Sequence, residues 1–90
     1  MSPKKRNKTS PWTVYIIESQ SGKLYTGITT DLERRFGEHR SGRKGARFFR
    51  TSGPSKIVHT ETCATRGEAS RREAAIKRLT RRQKLELIGA

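Results

Sequence analysis

The stretch WTVYIIESQSGKLYTGI, residues 12–28, determines the fold of this 90-residue chain. Residues 12–18 and 23–28 are rich in the aromatic and β-branched side chains that favour extended strands. The four residues between them, Ser-Gln-Ser-Gly, have the polar and flexible character of a turn. The stretch therefore predicts a β-hairpin at the start of the folded domain.

Three later segments have the S/T-x-x-E/Q form of a capping box, in which two side chains satisfy free amide groups at a helix start. These segments are Thr30–Glu33, Thr65–Glu68 and Thr80–Gln83. We therefore predict three helices, at about residues 31–40, 66–79 and 81–88.

Between the first two of these helices, the chain changes from loop to strand character. Residues 41–55 contain several glycines, a proline and basic residues, and predict a loop with one short turn near Phe48. Residues 56–61 alternate in polarity and predict a third strand. The order β-β-α-β-α-α indicates the α+β class, with helices packed on a small three-stranded sheet that is antiparallel or mixed.

The composition is strongly basic, with 21 Lys or Arg residues against 8 Asp or Glu, a formal net charge of +13 and a pI near 11.2. This excess predicts a polyanionic partner, with DNA and RNA both open at this point, and substrate choice is expected to rest on shape or on a partner protein. We expect residues 1–10 to form a disordered basic arm and residues 11–90 a single domain. The candidate nucleic-acid contacts are Arg34, Arg43, Lys44, Arg47 and Lys77.

Apolar runs and cysteine usage limit the environment of the protein. The longest apolar run, around residues 14–17, is far shorter than the roughly 20 residues that cross a bilayer, so no membrane partner is expected. Cys63 is the only cysteine, which excludes an internal disulfide and a multi-cysteine zinc site. A reducing compartment, the cytoplasm, fits this usage best.

Glu73 is the acidic residue whose position predicts a function. At about 100° per residue, Ala69, Glu73 and Ile76 fall within about 60° of one another on the second predicted helix, so a carboxylate lies on an apolar stripe. A carboxylate at such a position needs a cation as its partner. An arginine and a single hard ion such as Mg²⁺ are both open at this point. The other carboxylates are expected at helix starts or strand ends or, as for Glu38, facing solvent.

Four further residues are candidate site residues because of their arrangement. Arg35 and His39 are about one helical turn apart and edge the core-facing stripe of the first predicted helix. Tyr15 and Tyr25 lie on adjacent strands of the hairpin and can face the same side of it. Each of the four is most often structural when met alone, but together they form a set that a helix and a hairpin bring to one place.

In this order the motifs Thr13-Val14-Tyr15, Tyr25-Thr26-Gly27, LERRFGEH at residues 32–39 and Arg72-Glu73 resemble the GIY-YIG nuclease domain. The resemblance extends over about residues 11–84 and is greatest to small stand-alone bacterial members. Thr13, Val14 and Thr26 stand where the family name has Gly, Ile and Ile.

The resemblance implies an endonuclease that hydrolyses DNA phosphodiester bonds at a site with one Mg²⁺ or Mn²⁺ ion. By resemblance, Glu73 binds the ion, Arg35 holds the scissile phosphate and Tyr15 acts as the general base. Tyr25 and His39 are implied in proton transfer and positioning. The rival hypothesis is a non-catalytic nucleic-acid-binding module on the same scaffold.

Overall fold

The computed structural model describes residues 11–41 and 52–89. The predicted basic arm, the turn near Phe48 and the candidate contacts Arg43, Lys44 and Arg47 lie outside the described residues. No helix within the described ranges is both long and apolar enough to span a membrane.

The described residues form three strands and three helices in the predicted order β-β-α-β-α-α, which confirms the α+β class. The elements are β1 (Trp12–Ser19), β2 (Leu24–Thr29), α1 (Leu32–Ser41), β3 (Pro54–Cys63), α2 (Arg66–Lys77) and α3 (Arg81–Leu87). The strands form one sheet of order β2-β1-β3, in which β1 pairs antiparallel with both neighbours. The alternative of a mixed sheet is therefore excluded.

The hairpin turn between β1 and β2 follows the sequence prediction. Gly22 has a φ of 89°, which L-residues with a side chain rarely adopt, and its amide donates to the Ser19 carbonyl over 2.9 Å. The buried Ser19 hydroxyl accepts a hydrogen bond from the Lys23 amide over 3.0 Å. The turn thereby sets the register in which Tyr15 lies opposite Gly27.

Alternation along β1 divides the core between the two faces of the sheet. Val14 and Ile16 are fully buried with Ala69 and Ile76 of α2. On the other face, Tyr15 and Ile17 are buried against partly exposed residues of β2 and α1, namely Tyr25, Leu32 and Phe36. Full burial of an aliphatic side chain contributes about 1.5–3 kcal/mol, so the central strand fixes α1 and α2 on opposite faces.

The helix starts agree with the capping predictions in two of three places. Thr80 and Gln83 form a complete capping box, with bonds of 3.1 and 2.9 Å. Thr65 accepts from the Glu68 amide, although the Glu68 carboxylate accepts from Ala64 rather than from Thr65.

The predicted cap at Thr30 is wrong by one residue. Asp31 caps α1, because its carboxylate accepts from the Arg34 amide over 3.1 Å and its carbonyl accepts from the Arg35 amide. A carboxylate in this position also interacts favourably with the helix dipole. The Thr29 hydroxyl holds the Asp31 amide at 3.0 Å and so fixes the entry to the helix.

Both ends of β3, which extends over Pro54–Cys63 instead of residues 56–61, and the end of α2 differ from the predictions by two residues. β3 begins at Pro54 instead of residue 56, and an edge strand tolerates a proline there because the missing amide is not needed by the ladder. α2 ends at Lys77, and Arg78 closes it with amide bonds to the carbonyls of the preceding turn. This early end leaves a short turn in which the chain reverses into α3.

Candidate functional site

The Tyr15 side chain is at the centre of the candidate site. It projects from β1 on the α1 face and crosses the edge strand β2 at Gly27, where a Cβ would lie 2.6 Å from the Tyr15 Cζ. No other residue type would leave room for the phenol. The Tyr15 residue is 1% exposed, and its hydroxyl lies 3.1 Å from Nε2 of His39. Gly27 thus allows a buried strand residue to place a polar group over the sheet edge.

Two aromatic rings, those of Tyr25 and His39, lie beside the ring of Tyr15. The ring centroids of Tyr25 and His39 are 5.3 Å apart in an edge-to-face arrangement, and that of Tyr15 is 6.3 Å from Tyr25 and 6.1 Å from His39. The cluster forms because Tyr25 is diagonal to Tyr15 across the strand pair and α1 packs His39 onto the same face. The buried imidazole is 1% exposed. The three side chains lie on the same face of the sheet, as the sequence analysis expects.

Arg35 approaches Tyr15 from α1 and is held there by Glu38. Nη1 of Arg35 donates to Glu38 over 2.8 Å, and the guanidinium is near enough to the Tyr15 hydroxyl to lower the pKa of that phenol. The Glu38 carboxylate accepts a second bond, also 2.8 Å, from Arg34. The expectation that Glu38 faces solvent is wrong, because its side chain is only 17% exposed. Arg34, the candidate phosphate contact, is 58% exposed and also lies 3.7 Å from Asp31.

Glu73 lies on α2 with its side chain 23% exposed, between the buried residues Ala69 and Ile76. Its carboxylate is 3.2 Å from Nζ of Lys77, whose side chain is 55% exposed. The negative charge of Glu73 reaches Tyr15, since it contributes to the raised pKa of that phenol. Glu73 is therefore within electrostatic reach of Tyr15, although α2 and α1 pack on opposite faces of the sheet.

The arginine next to Glu73 in sequence has another partner. Arg72 donates to Glu61 of β3 through two bonds of 2.7 and 3.0 Å, and Glu61 also binds His59 over 2.7 Å. This network ties α2 to the edge strand β3. The alternative of an arginine paired with Glu73 is thus not what the described residues form, since the cation beside Glu73 is the exposed Lys77.

Glu73 could contribute one carboxylate ligand to a hard divalent ion. The carboxylate is a hard oxygen ligand and is half-buried, and the described residues contain no group of three or more His, Cys, Asp or Glu that could hold a metal. An ion there would take its remaining ligands from water and from substrate oxygens, which Mg²⁺ accepts readily. Displacing Lys77 costs little, because exposed Glu–Lys pairs one turn apart contribute only about 0.3–0.5 kcal/mol.

Burial and charge set the resting protonation of the site. Burial, assisted by the neighbouring Tyr25, raises the pKa of Tyr15 to about 12, against the lowering effect of the Arg35 hydrogen bond and charge. Burial also lowers the pKa of His39 to about 4, and the positive charge of Arg35 acts in the same direction. At neutral pH the phenol is therefore protonated and the imidazole is neutral. The two groups are poised for one hydrogen bond between hydroxyl and ring nitrogen.

The depressed pKa of His39 predicts a loss of stability in mild acid. The unfolded chain takes up the proton near the ordinary pKa of 6.5, whereas the folded chain resists it down to about 4. The contribution of the neutral His39 to the free energy of unfolding is therefore fully present above pH 6.5 and is lost as the pH falls toward 4. Between pH 6.5 and 4.5 we expect the free energy of unfolding in urea to drop by about 2 kcal/mol.

His39→Gln is the control for this pH dependence, because it removes the titrating group and retains polarity. The variant should have a smaller drop over the same pH interval. Equal drops in the wild type and His39→Gln would show that other groups cause the dependence.

A small α+β domain in which Tyr15, Tyr25, Arg35 and His39 come together on one face of the sheet belongs to the class of fold that the sequence motifs indicate. Residues 11–86 match the family described as the GIY-YIG catalytic domain. The chain belongs to this GIY-YIG family.

Relatives with the same domain occur in several bacteria. The chain is 51% identical to the UPF0213 protein DP2720 of Desulfotalea psychrophila, over 88% of this chain and 72% of that protein. It is 46% identical to the UPF0213 protein YhbQ of Escherichia coli, over 88% of this chain and 78% of the relative.

A solved structure supports the fold independently. The solution structure of the UPF0213 protein BH0048 from Bacillus halodurans has 44% identity and a TM-score of 0.56, and the match covers 87% of this chain and 82% of that one. Its agreement with the three-stranded antiparallel sheet and three helices confirms the architecture.

Two features of the site escape sequence reasoning. Glu38 has the pattern of a solvated helix residue, yet it fixes Arg35; its i, i+3 spacing from Arg35 is the signal that could have identified the pair. Gly27 has a role in making room for the Tyr15 ring, which is visible only from the register that puts the two residues opposite each other.

Proposed function

We propose that this protein is a divalent-metal-dependent endonuclease that hydrolyses DNA phosphodiester bonds at the Tyr15 cluster. The observation that carries the proposal is the buried Tyr15 hydroxyl, 3.1 Å from a neutral His39, beside the charge of Arg35 and within the electrostatic reach of Glu73. Membership of the GIY-YIG family and the charge of +13 support a nucleic-acid substrate.

Arg35 would bind the scissile phosphate in this mechanism. The hydrogen bond to Glu38 orients the guanidinium of Arg35. A guanidinium is a planar group with several N–H donors, and its geometry matches that of phosphate oxygens. Because the negative charge on those oxygens grows as water attacks, a donor already oriented toward them stabilises the transition state more than the ground state. Glu38 positions the guanidinium and does not itself need to touch the substrate.

Tyr15 and His39 would move the proton of the attacking water. The water proton passes to the Tyr15 oxygen while the Tyr15 proton passes to Nε2 of His39, and the water oxygen bonds to phosphorus as the bond to the leaving oxygen breaks. The leaving oxygen takes a proton from solvent and the His39 imidazolium returns its proton to solvent, so the products are a phosphate monoester and an alcohol and the neutral Tyr15–His39 pair is restored. Tyr25 packs on His39 and would fix the ring for this transfer.

Glu73 would hold one Mg²⁺ or Mn²⁺ ion. When bound, the ion would supply Lewis-acid stabilisation of the charge on the phosphate oxygens and would favour the ionised phenol. Lys77, which now pairs with Glu73, would then be released toward the substrate backbone. We further propose a cytoplasmic location and DNA as the main partner, with RNA as a second polyanion to be compared.

The proposal is tested by incubating the protein with supercoiled plasmid, branched DNA, single-stranded DNA and RNA in Mg²⁺ or Mn²⁺. We expect nicking that chelation abolishes and that Tyr15→Phe reduces by about 100-fold or more, as for loss of a general base. The melting temperature of Tyr15→Phe identifies any loss of folding. Equal rates in the wild type and Tyr15→Phe would exclude this site as the source of activity. Salt-sensitive binding without cleavage of any substrate would favour the non-catalytic module.

A further inference from the structure

One edge of α2 carries two cations, with one on each side of Glu73. With about 100° per residue, Arg66 lies about 20° and Lys77 about 40° from Glu73 around the helix axis. Arg66 is about 10 Å from Glu73 along the axis and Lys77 about 6 Å, in opposite directions, at a rise of about 1.5 Å per residue. Arg66 is exposed, as is Lys77. The α2 edge, defined here as Arg66, Glu73 and Lys77, is therefore a line of charge that passes through the proposed metal ligand.

Arg66 is held by an aromatic ring, as Arg40 is by Phe36. Its guanidinium lies over the ring of Trp12, 5.5 Å from the centroid, and Trp12 packs against the buried core. Within the described ranges, no carboxylate forms an ion pair with Arg66, whereas Arg34, Arg35 and Arg72 are each bound to one. Stacking on an aromatic ring orients a guanidinium without neutralising it. Such a group is preorganised for an anion from outside the chain.

The spacing along the α2 edge suits a nucleic-acid backbone. The roughly 10 Å between Arg66 and Glu73 is on the scale that separates nearby phosphates of one strand, which lie farther apart in space than their rise of about 3.4 Å along the duplex axis. A strand with its scissile phosphate near Glu73 would thus bring another phosphate to Arg66. Lys77 would meet the backbone on the opposite side.

We propose that Arg66, stacked on Trp12, is a backbone contact for the substrate strand at a phosphate close to the scissile bond. This inference rests on the proposed function for the position of the scissile phosphate. It gives the substrate strand a direction along α2, and it assigns a binding role to a residue outside the motif cluster.

The test compares two charge-equivalent variants of the same helix, Arg66→Gln and Arg71→Gln. Arg71 is also exposed and, among the described residues, has no carboxylate partner, but it lies about 160° from Glu73 around the axis. Its guanidinium lies beside Gly67, 3.6 Å from the position of a built Cβ. Any general effect of removing one positive charge is therefore equal in the two proteins.

Affinity for a labelled duplex is measured by fluorescence anisotropy in EDTA between 50 and 200 mM salt, conditions that separate binding from cleavage. We expect Arg66→Gln to weaken binding about 5- to 10-fold at low salt and to reduce the slope of log K against log salt by about 1. Arg71→Gln should change the affinity less than 2-fold. Equal losses in the two variants, or an unchanged affinity of Arg66→Gln, would overturn the proposal.

The single tryptophan supplies a second readout. Binding of a phosphate strand at Arg66 should change the emission of Trp12 in the wild type and much less in Arg66→Gln, whereas Arg71→Gln should retain the change. An emission change that persists in Arg66→Gln would contradict the contact. Because both measurements are made without divalent ions, a failure of metal-dependent cleavage would refute the nuclease proposal and leave this contact standing. Conversely, equal binding losses would refute the contact and leave the nuclease proposal intact.

Discussion

Glu73→Gln is expected to reduce metal-dependent nicking by about 10³-fold or more, because the chain then lacks its proposed ionic ligand and the several kcal/mol of charge stabilisation that an ion supplies. The change is nearly isosteric. It removes the half-buried charge of Glu73 and its ion pair with the exposed Lys77. Because such a pair contributes little, the melting temperature should change little. A large loss of activity in a stable protein would therefore report on the ion and not on the fold.

Glu86→Gln is the matched control for Glu73→Gln. It makes the same change in charge at an exposed position of α3 and should retain the wild-type rate. Direct Mn²⁺ binding, followed by electron paramagnetic resonance, is the second measurement, and Glu73→Gln should bind at least about 10-fold more weakly than Glu86→Gln. Unaltered Mn²⁺ affinity and unaltered nicking in Glu73→Gln would show that the ion is held elsewhere.

The order and type of the secondary-structure elements follow from local signals in the sequence. The hairpin is specified by strand-forming residues around a Ser-Gln-Ser-Gly turn, and Thr65 and Thr80 mark helix starts through contacts within four residues. The cap at Thr30 is misassigned because Asp31, which follows it, is also a favourable capping residue. The sequence does not indicate which of the two side chains accepts from a free amide of the first turn, and in the structure Asp31 accepts from Arg34. Local chemistry thus predicts the elements well and their ends less well.

The contacts at the site depend on packing between elements, which local signals do not encode. A helix wheel places Arg35 and His39 at the edge of the core, but the Tyr15 hydroxyl between them depends on the strand register and on the missing side chain of Gly27. The partner of Arg72 is likewise decided by β3, whose Glu61 lies eleven residues earlier. Pairs far apart in sequence become visible only when the sheet fixes their distance.

Arg35→Gln is expected to lower the rate of cleavage by about 10²- to 10³-fold, the usual loss for a donor aimed at developing charge. The effect should fall mainly on kcat, because Arg35 acts most strongly on the charge that grows in the transition state. Arg34→Gln is the matched control, since Arg34 donates to the same Glu38 carboxylate over the same 2.8 Å but is largely exposed. Its loss should change the rate only a few-fold, through weaker DNA binding.

A substitution of Glu38 distinguishes the positioning of Arg35 from the direct contact of Arg35 with phosphate. The hydrogen bond from Arg35 is the largest influence that holds the pKa of Glu38 below its ordinary value, so the carboxylate remains ionised at neutral pH. In Glu38→Gln the amide oxygen can still accept from Arg35, but the charge is lost, and we expect about a 10-fold decrease in kcat. Because the Glu38 charge raises the pKa of His39, Glu38→Gln should also move the His39 titration, followed by NMR, to lower pH. An unchanged kcat in Arg35→Gln, or equal losses in Arg35→Gln and Arg34→Gln, would mean that α1 contributes charge to DNA binding and no oriented group to the reaction.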